Sequence, residues 1–400
     1  MAWNTDGTSA PTVHRYNPRM HRSQDQRTLL GGLTARAFLA RHWQKQPLLI
    51  RAACPGFPGL VTLPQLLALA CRDDVRSRVV IQEGRQWQVE HGPFTRAYFR
   101  KLPKRGWTLL VHDVNHFLPQ ARALLDRFRF IGFARLDDLM ISYAPPGAGV
   151  GPHFDSYDVF LLQGPGQRRW QISHQSDLAL KQDAPLKLLR KFRPEQEWVL
   201  QPGDLLYLPP GWAHNGIALE ACMTYSIGFR APAWRDLAIE FLRYLEDRVD
   251  TEGMYRDPQL TPTQQPARLA AQMTREVAQQ MEGLCWRASE IRRFLGQHLT
   301  EPKTHVVFKR PQPALKKAAF LSRARREGLR LELKTQMLYT GALFFINGET
   351  AQVSGRARDT MRELADRRCL ASVDSSQRGL VTLLYEWYLA GYLGVASGEA

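Results

Sequence analysis

Between residues 77 and 230 the chain alternates short apolar runs with turn residues. SRVVIQ, WQVEH, WTLLVHD, DLMISYA, YDVFLLQ, RRWQIS, EWVL, DLLYLP and MTYSIGF are rich in Val, Ile, Leu and aromatic residues, and EGR, APPGAG, GPGQ, QPGD and PPGW separate them. Short strands at such close spacing with Gly/Pro turns predict an antiparallel sandwich or barrel. One substantial helix is expected among them, over 116–128. Upstream, residues 1–28 are polar, Arg-spotted and aperiodic, the pattern of a mobile tail. Order is expected to begin near Leu33. Thr34 can cap a helix with Phe38, Leu39 and Trp43 on its apolar face, and Thr62 with Pro64 can open a second.

The β pattern stops at Pro232. Residues 233–299 read as helices: WRDLAIEFLRYLEDRV, RLAAQMTREVAQQMEGL and ASEIRRFLGQHL, the first two joined by the Pro-rich YRDPQLTPTQQP. Leu237, Phe241 and Leu245 fall on one helical face and are expected to be buried, in an oligomer contact or within the chain. After HVVFKRPQPALKK a third unit is expected, with short strands in TGALFFING and LASVDS, a helix from Gly355 and a closing helix in QRGLVTLLYEWYLAGYL. Helices with a small strand pair suggest a winged-helix-like module. The expected division is a basic tail at 1–28, a β-rich domain at 29–232, a helical region at 233–302 and a winged-helix-like domain at 303–400.

Composition narrows the class. With 400 residues and 44% apolar content the chain can bury a sizeable core and is not disordered overall. The five cysteines, Cys54, Cys71, Cys222, Cys285 and Cys369, are scattered and form no Cys-x-x-Cys pair. That speaks against a zinc ribbon or thioredoxin motif and for a reducing compartment. With no apolar leader and no long apolar run, a cytoplasmic protein without a membrane span is the expectation. The net charge of +16 has no evident reason at this level.

GVGPHFDSYDVF carries the sharpest chemistry. His153 and Asp155 are one residue apart, so on a strand the two-residue period points both to one face. A second imidazole is available from His214 in LPPGWAHNGIA. Two histidines and one carboxylate leave three positions of an octahedral ion open, the donor set of non-haem Fe(II) oxygenases. The His-x-Asp pattern alone is weak, because a chain with 11 His and 20 Asp is expected to contain it about 0.5 times by chance. Its setting gives it weight: glycines and prolines before His153, a β-rich continuation, and PGDLLYLPPGWAH bringing the second His. A chelating 2-oxo acid would need a cation for its distal carboxylate, and one of Arg168 and Arg169 should face inward by strand alternation.

At these residues the chain resembles the bacterial JmjC-type ribosomal oxygenases. DDLMISYAPPGAGVGPHFDSYDVFLLQGPGQRRWQI, PGDLLYLPPGWAHNGIAL and MTYSIGFRAP carry the resemblance, with RHWQKQPLLIRAACPGF and WQVEHGPF nearer the N-terminus. It covers roughly residues 30–300 well, and the C-terminal unit in architecture. It implies an α+β chain: a double-stranded β-helix (JmjC, cupin-like) core, a helical dimerisation region and a C-terminal winged-helix-like domain. It implies Fe(II), with 2-oxoglutarate and O2 as co-substrates, and His153, Asp155 and His214 as metal ligands. It implies Arg168 for the distal carboxylate of 2-oxoglutarate, assisted by Ser142, with Thr224 and Ser226 placed to reach the co-substrate. Thr224 stands where close relatives would carry Asn. Tyr157 and Asp158 would face the substrate guanidinium, although Asp158 reads equally as a structural carboxylate. The activity implied is hydroxylation of the β-carbon (C3) of an arginine in a large-subunit ribosomal protein, by a homodimer.

Other readings keep the enzyme class and change the target: a histidine, a methylated lysine to be demethylated, or RNA. A further reading is a non-enzymatic ribosome- or nucleic-acid-binding factor. Between Lys303 and Lys334 there are ten Lys/Arg against two Asp/Glu. This segment is the candidate for RNA contact, although such runs are usually solvated faces and no aromatics interleave it in the manner of a base-stacking surface.

Overall fold

A computed structural model describes residues 27–396, apart from 247, 250–252, 259 and 283–285. The expected tail therefore lies almost wholly outside the described residues. Order starts earlier than Leu33, because Leu29 and Leu30 are fully buried in the main core.

All nine strands expected between residues 77 and 230 form, and three further ones join them. Those of the β-rich domain are β1 Leu48–Ile50, β2 Ser77–Glu83, β3 Gln86–His91, β4 Trp107–Val111, β5 Leu136–Ala144 and β6 His153–Phe154, then β7 Val159–Gln163, β8 Arg168–Ser173, β9 Gln196–Leu200, β10 Leu205–Leu208, β11 Ala213–Ala218 and β12 Cys222–Phe229. They build an eight-stranded sheet, β1-β10-β7-β12-β5-β4-β2-β3, and a four-stranded sheet, β6-β11-β8-β9. Pairing is antiparallel throughout, for example β12 with both β5 and β7, and β11 with both β6 and β8. The result is a cupin-like β-sandwich. Val159, Leu161, Trp170, Ile172, Leu206 and Leu208 pack between its sheets.

The larger core lies on the outer face of the eight-stranded sheet. Thr34 caps the helix Ala35–Arg41 by accepting from the Ala37 amide. Phe38 on that helix packs edge-on against Tyr207 of β10, ring centroids 5.0 Å apart, and against Phe160 of β7. Burying such a ring contributes about 1.5–3 kcal/mol. The helix expected over 116–128 is interrupted: 3-10 turns at Val114–His116 and Arg129–Ile131 flank a shorter helix, Pro119–Asp126. Pro119 has no N–H to donate, so the α-helix begins there.

Helices Trp234–Glu246, Ala271–Glu282 and Ala288–Thr300 follow. The first departs from expectation in its burial. Leu237, Phe241 and Leu245 are partly rather than fully buried, Phe241 meeting Phe294 at 5.2 Å and Trp286 at 5.5 Å. The same helix leaves Trp234 88% and Leu242 61% exposed, and the second helix leaves Met273, Val277 and Met281 exposed.

The Ala288–Thr300 helix packs on the C-terminal strands, with Gly296 against the Phe345 ring, so packing carries that unit back across residue 302. Its strands are β13 Leu329–Leu331, β14 Met337–Thr340, β15 Leu343–Ile346, β16 Glu349–Gln352, β17 Cys369–Leu370 and β18 Leu393–Val395. With helices Lys317–Glu327, Arg356–Arg367 and Arg378–Ala390 they enclose Phe320, Phe344, Met361, Leu384 and Trp387.

The 303–334 segment is not a uniform basic face. Lys303 is held by Asp113 and Asp137. Arg323 and Arg326 pair with Glu327, Lys317 donates to Thr382, and Lys334 lies over the Phe117 ring. Lys309, Arg310, Lys316, Arg325 and Arg330 remain exposed.

Candidate metal centre

Strand pairing assembles the site. β11 sits between β6 and β8, with His214 directly opposite His153 on one side and Ile172 on the other. β6 covers only His153 and Phe154, so Asp155 lies just beyond it. Its carbonyl accepts from the Gly211 amide, which ties it to the turn before β11. One ligand atom from each of His153, Asp155 and His214 lies within 4.8 Å of the others. His214 Nε2 is 3.7 Å from an Asp155 carboxylate oxygen.

Both imidazoles are aimed by their backbone. Nδ1 of His153 is 2.9 Å from the Gly151 carbonyl, and Nδ1 of His214 is 2.9 Å from the Trp212 carbonyl. A carbonyl only accepts, so each Nδ1 carries the proton and each Nε2 keeps its lone pair. Gly151 must be glycine to do this: its φ is +78° and a Cβ would meet Leu188 at 2.6 Å. Burial pushes the His214 imidazole down to about 4, helped by His153 and opposed by Asp155. It is therefore neutral near pH 7, as a ligand must be. The donor set, its mutual spacing and the free Nε2 atoms fit a divalent iron with open positions.

The centre opens into a cavity of about 520 Å³ between the two sheets. Arg168 enters it from β8 and is 3% exposed. Its Nε and Nη2 have no hydrogen-bond partner among the described residues. A buried guanidinium with unpaired N–H groups calls for an anion, and a carboxylate matches its fork. Arg169 takes the other side of the strand, toward Glu197 at 3.8 Å, so alternation selects Arg168. Opposite, Ser142 on β5 pairs across with Thr224 on β12, and Ser226 lies two residues on. All three line the cavity. The Thr224 hydroxyl is 3.3 Å from the Gln163 side-chain oxygen and donates to it, which leaves it an acceptor toward the cavity and a poor partner for a carboxylate.

Tyr157 stands at the mouth, 40% exposed. Asp158 does not, which corrects its candidacy as a guanidinium contact. It is fully buried on the far side of the chain. There it accepts from Tyr207 Oη at 2.6 Å and Gln44 Nε2 at 3.0 Å, with Arg135 at 3.4 Å. Asp158 lies in the turn just before β7, and that turn carries its side chain to the core side while Tyr157 stays at the cavity.

Sequence reasoning missed other parts of the wall. Asp137, Asp138 and Met140 of β5, Arg78 of β2, and the loop residues Pro185–Leu188 all line the cavity. Burial alone would raise the Asp138 carboxyl, but its hydrogen bond with His112 and the Lys303 charge outweigh this and hold it at about 2. The acidic pair at the start of DDLMISY was a visible signal. The loop gave none, because only the folded chain brings it over His153, where the Leu189 amide donates to the Pro152 carbonyl.

Residues 123–237 match the JmjC domain family and residues 283–394 the ROXA-like winged helix. The chain is 38% identical over 279 residues to the ribosomal protein uL16 3-hydroxylase of Escherichia coli (strain K12), covering 69% of this chain and 74% of that protein. It is 37% identical over 233 residues to a probable ribosomal oxygenase of Haemophilus influenzae, covering 57% of this chain and 55% of that protein. Among solved structures it is similar to YcfD, a ribosomal oxygenase from Escherichia coli, in complex with cobalt and 2-oxoglutarate. The TM-score is 0.78 at 32% identity, over 90% of this chain and 98% of that one.

Proposed function

The chain belongs to the JmjC-type ribosomal oxygenases, and from that premise we propose that it hydroxylates the β-carbon (C3) of an arginine in the large-subunit ribosomal protein uL16. It is a 2-oxoglutarate- and Fe(II)-dependent ribosomal-protein hydroxylase. Bound iron, with 2-oxoglutarate and O2, supplies the oxidation that replaces C–H by C–OH. His153, Asp155 and His214 hold the metal. Arg168 receives the distal carboxylate of 2-oxoglutarate, with Ser142, Ser226 and Thr224 on the facing wall. Tyr157 and the ionised Asp138 meet the substrate arginine at the mouth, carboxylate to guanidinium.

One observation carries this reading: two imidazoles and a carboxylate converge in the same cavity as a buried, unpaired Arg168. The test is mass spectrometry of uL16 after incubation with the enzyme, Fe(II), 2-oxoglutarate and O2. The expected product gains one oxygen atom, localised by fragmentation to an arginine β-carbon. Formaldehyde release, or oxygen on a histidine or on RNA, would replace this reading with another oxygenase. Turnover of 2-oxoglutarate that disappears in His153→Ala would argue against a non-enzymatic scaffold.

The remaining partners belong to the same proposal. A second copy of this chain covers the apolar side of the 234–246 and 271–282 helices, giving a homodimer. No described helix is long and apolar enough to cross a membrane. The proposed ribosomal-protein substrate supports a cytoplasmic location. The exposed cations of the 303–334 segment are the surface available to ribosomal RNA.

A further inference from the structure

The segment that leads into the C-terminal module reaches back to the wall of the catalytic cavity. Lys303 Nζ lies 2.8 Å from Asp113 Oδ1 and 3.0 Å from Asp137 Oδ1. Asp113 follows β4 in a left-handed conformation, φ +53°, and is 1% exposed. His305 at 3.2 Å and Arg76 at 3.3 Å also face it. Its amide donates to the Asp138 carboxylate, which faces His112 at 3.7 Å. Arg230 is 3.6 Å from Asp137. Asp137 and Asp138 line the cavity, as do Met140 and Ser142 further along β5, whereas Lys303 does not.

Two buried carboxylates, Asp113 and Asp138, and the partly exposed Asp137 repel one another unless cations sit between them. Lys303 alone among the described residues bridges Asp113 and Asp137, the carboxylates that flank β4 and open β5. We infer that Lys303 is a positioning residue for the oxygenase: it ties the C-terminal module to the start of β5 and fixes the acidic wall that receives a cationic substrate side chain. The substrate half of this rests on the arginine reading above; the mechanical half does not.

The test pairs steady-state kinetics on a uL16 arginine peptide with hydrogen exchange of the whole protein. Lys303→Met is expected to raise KM for the peptide about tenfold, with kcat and the KM for 2-oxoglutarate within about twofold of the parent. Lys303→Arg, which keeps the charge, is expected to restore the peptide KM. Exchange in Lys303→Met is expected to quicken across residues 112–116 and 136–144, while β8 and β11 stay protected. An unchanged peptide KM, unchanged exchange, or an arginine variant as impaired as the methionine one overturns the inference. If the parent enzyme leaves the peptide unmodified, the arginine reading fails by itself and the exchange result still decides the role of Lys303.

Discussion

Each side chain at the metal centre acts through the atom its neighbours leave free. His153 and His214 give Nδ1 to backbone carbonyls and turn Nε2 inward. Arg168 is buried with N–H groups unpaired, so its contribution is realised when a carboxylate arrives. Arg168→Met is expected to raise the KM for 2-oxoglutarate about 100-fold, equivalent to about 2.7 kcal/mol, as loss of one partner of a buried charge pair does. Kinetics with 2-oxoglutarate as the varied substrate check it. A second expectation concerns acid. Burial lowers both His116 and His214 to about 4 from the ordinary 6.5. The unfolded chain therefore binds protons that the fold refuses, and stability present above pH 6.5 is lost as pH falls toward 4. Asp138, held at about 2 against 3.8, adds a loss between those two values. Urea midpoints of the metal-free protein are expected to fall through both windows, and His116→Gln to flatten the upper one. His153, Asp155 and His214 were legible in the sequence because their residue types are scarce and their setting specific. Asp158 reads in the sequence either as a guanidinium contact or as a structural carboxylate, and the fold makes it the second, because the sequence does not say which way a residue just before a strand turns.

At the scale of elements, strands with Val, Ile and aromatic residues at close spacing were legible, and β1, β6 and β11 were not. β11 reads Ala-His-Asn-Gly-Ile-Ala, and Asn-Gly ordinarily signals a turn. It is a strand because β6 and β8 pair with it on both sides. Gly216 makes this possible: it lies opposite Trp170, and a Cβ there would meet the indole at 2.7 Å. Gly216→Ala is expected to destabilise the protein by about 1–3 kcal/mol through overpacking. It is also expected to weaken metal binding, since His214 is two residues away on the same strand. Thermal unfolding with and without added metal, beside a metal titration, separates the two effects. The 116–128 segment shows the opposite case, where a single Pro119 sets the start of the helix and propensity elsewhere matters little.

The whole molecule joins an oxygenase sandwich to a winged-helix module through helices whose apolar residues are only partly covered. Trp234, Leu242, Met273 and Met281 remain exposed in one chain, and a second copy would remove them from water. Leu242→Asp is expected to leave the fold intact, because Leu242 touches little within the chain, and to shift the protein from dimer to monomer in sedimentation velocity. The net charge of +16 looked like one basic segment in the sequence. Folding divides that segment between Lys303, which closes an acidic cluster, pairs such as Arg323 with Glu327, and a smaller exposed set. The sequence by itself determined the β-rich core, the helical joint, the ligand residue types and the need for an inward arginine, since these follow from local periodicity and chemistry. The tertiary structure decided the rest: which arginine faces in, that Asp158 faces out of the site, that Asp138 and the 185–188 loop face into it, and that Lys303 reaches the catalytic wall. Those are contacts between residues far apart in the chain, and only the packing of one sheet against the other and of the C-terminal module against both brings them within reach.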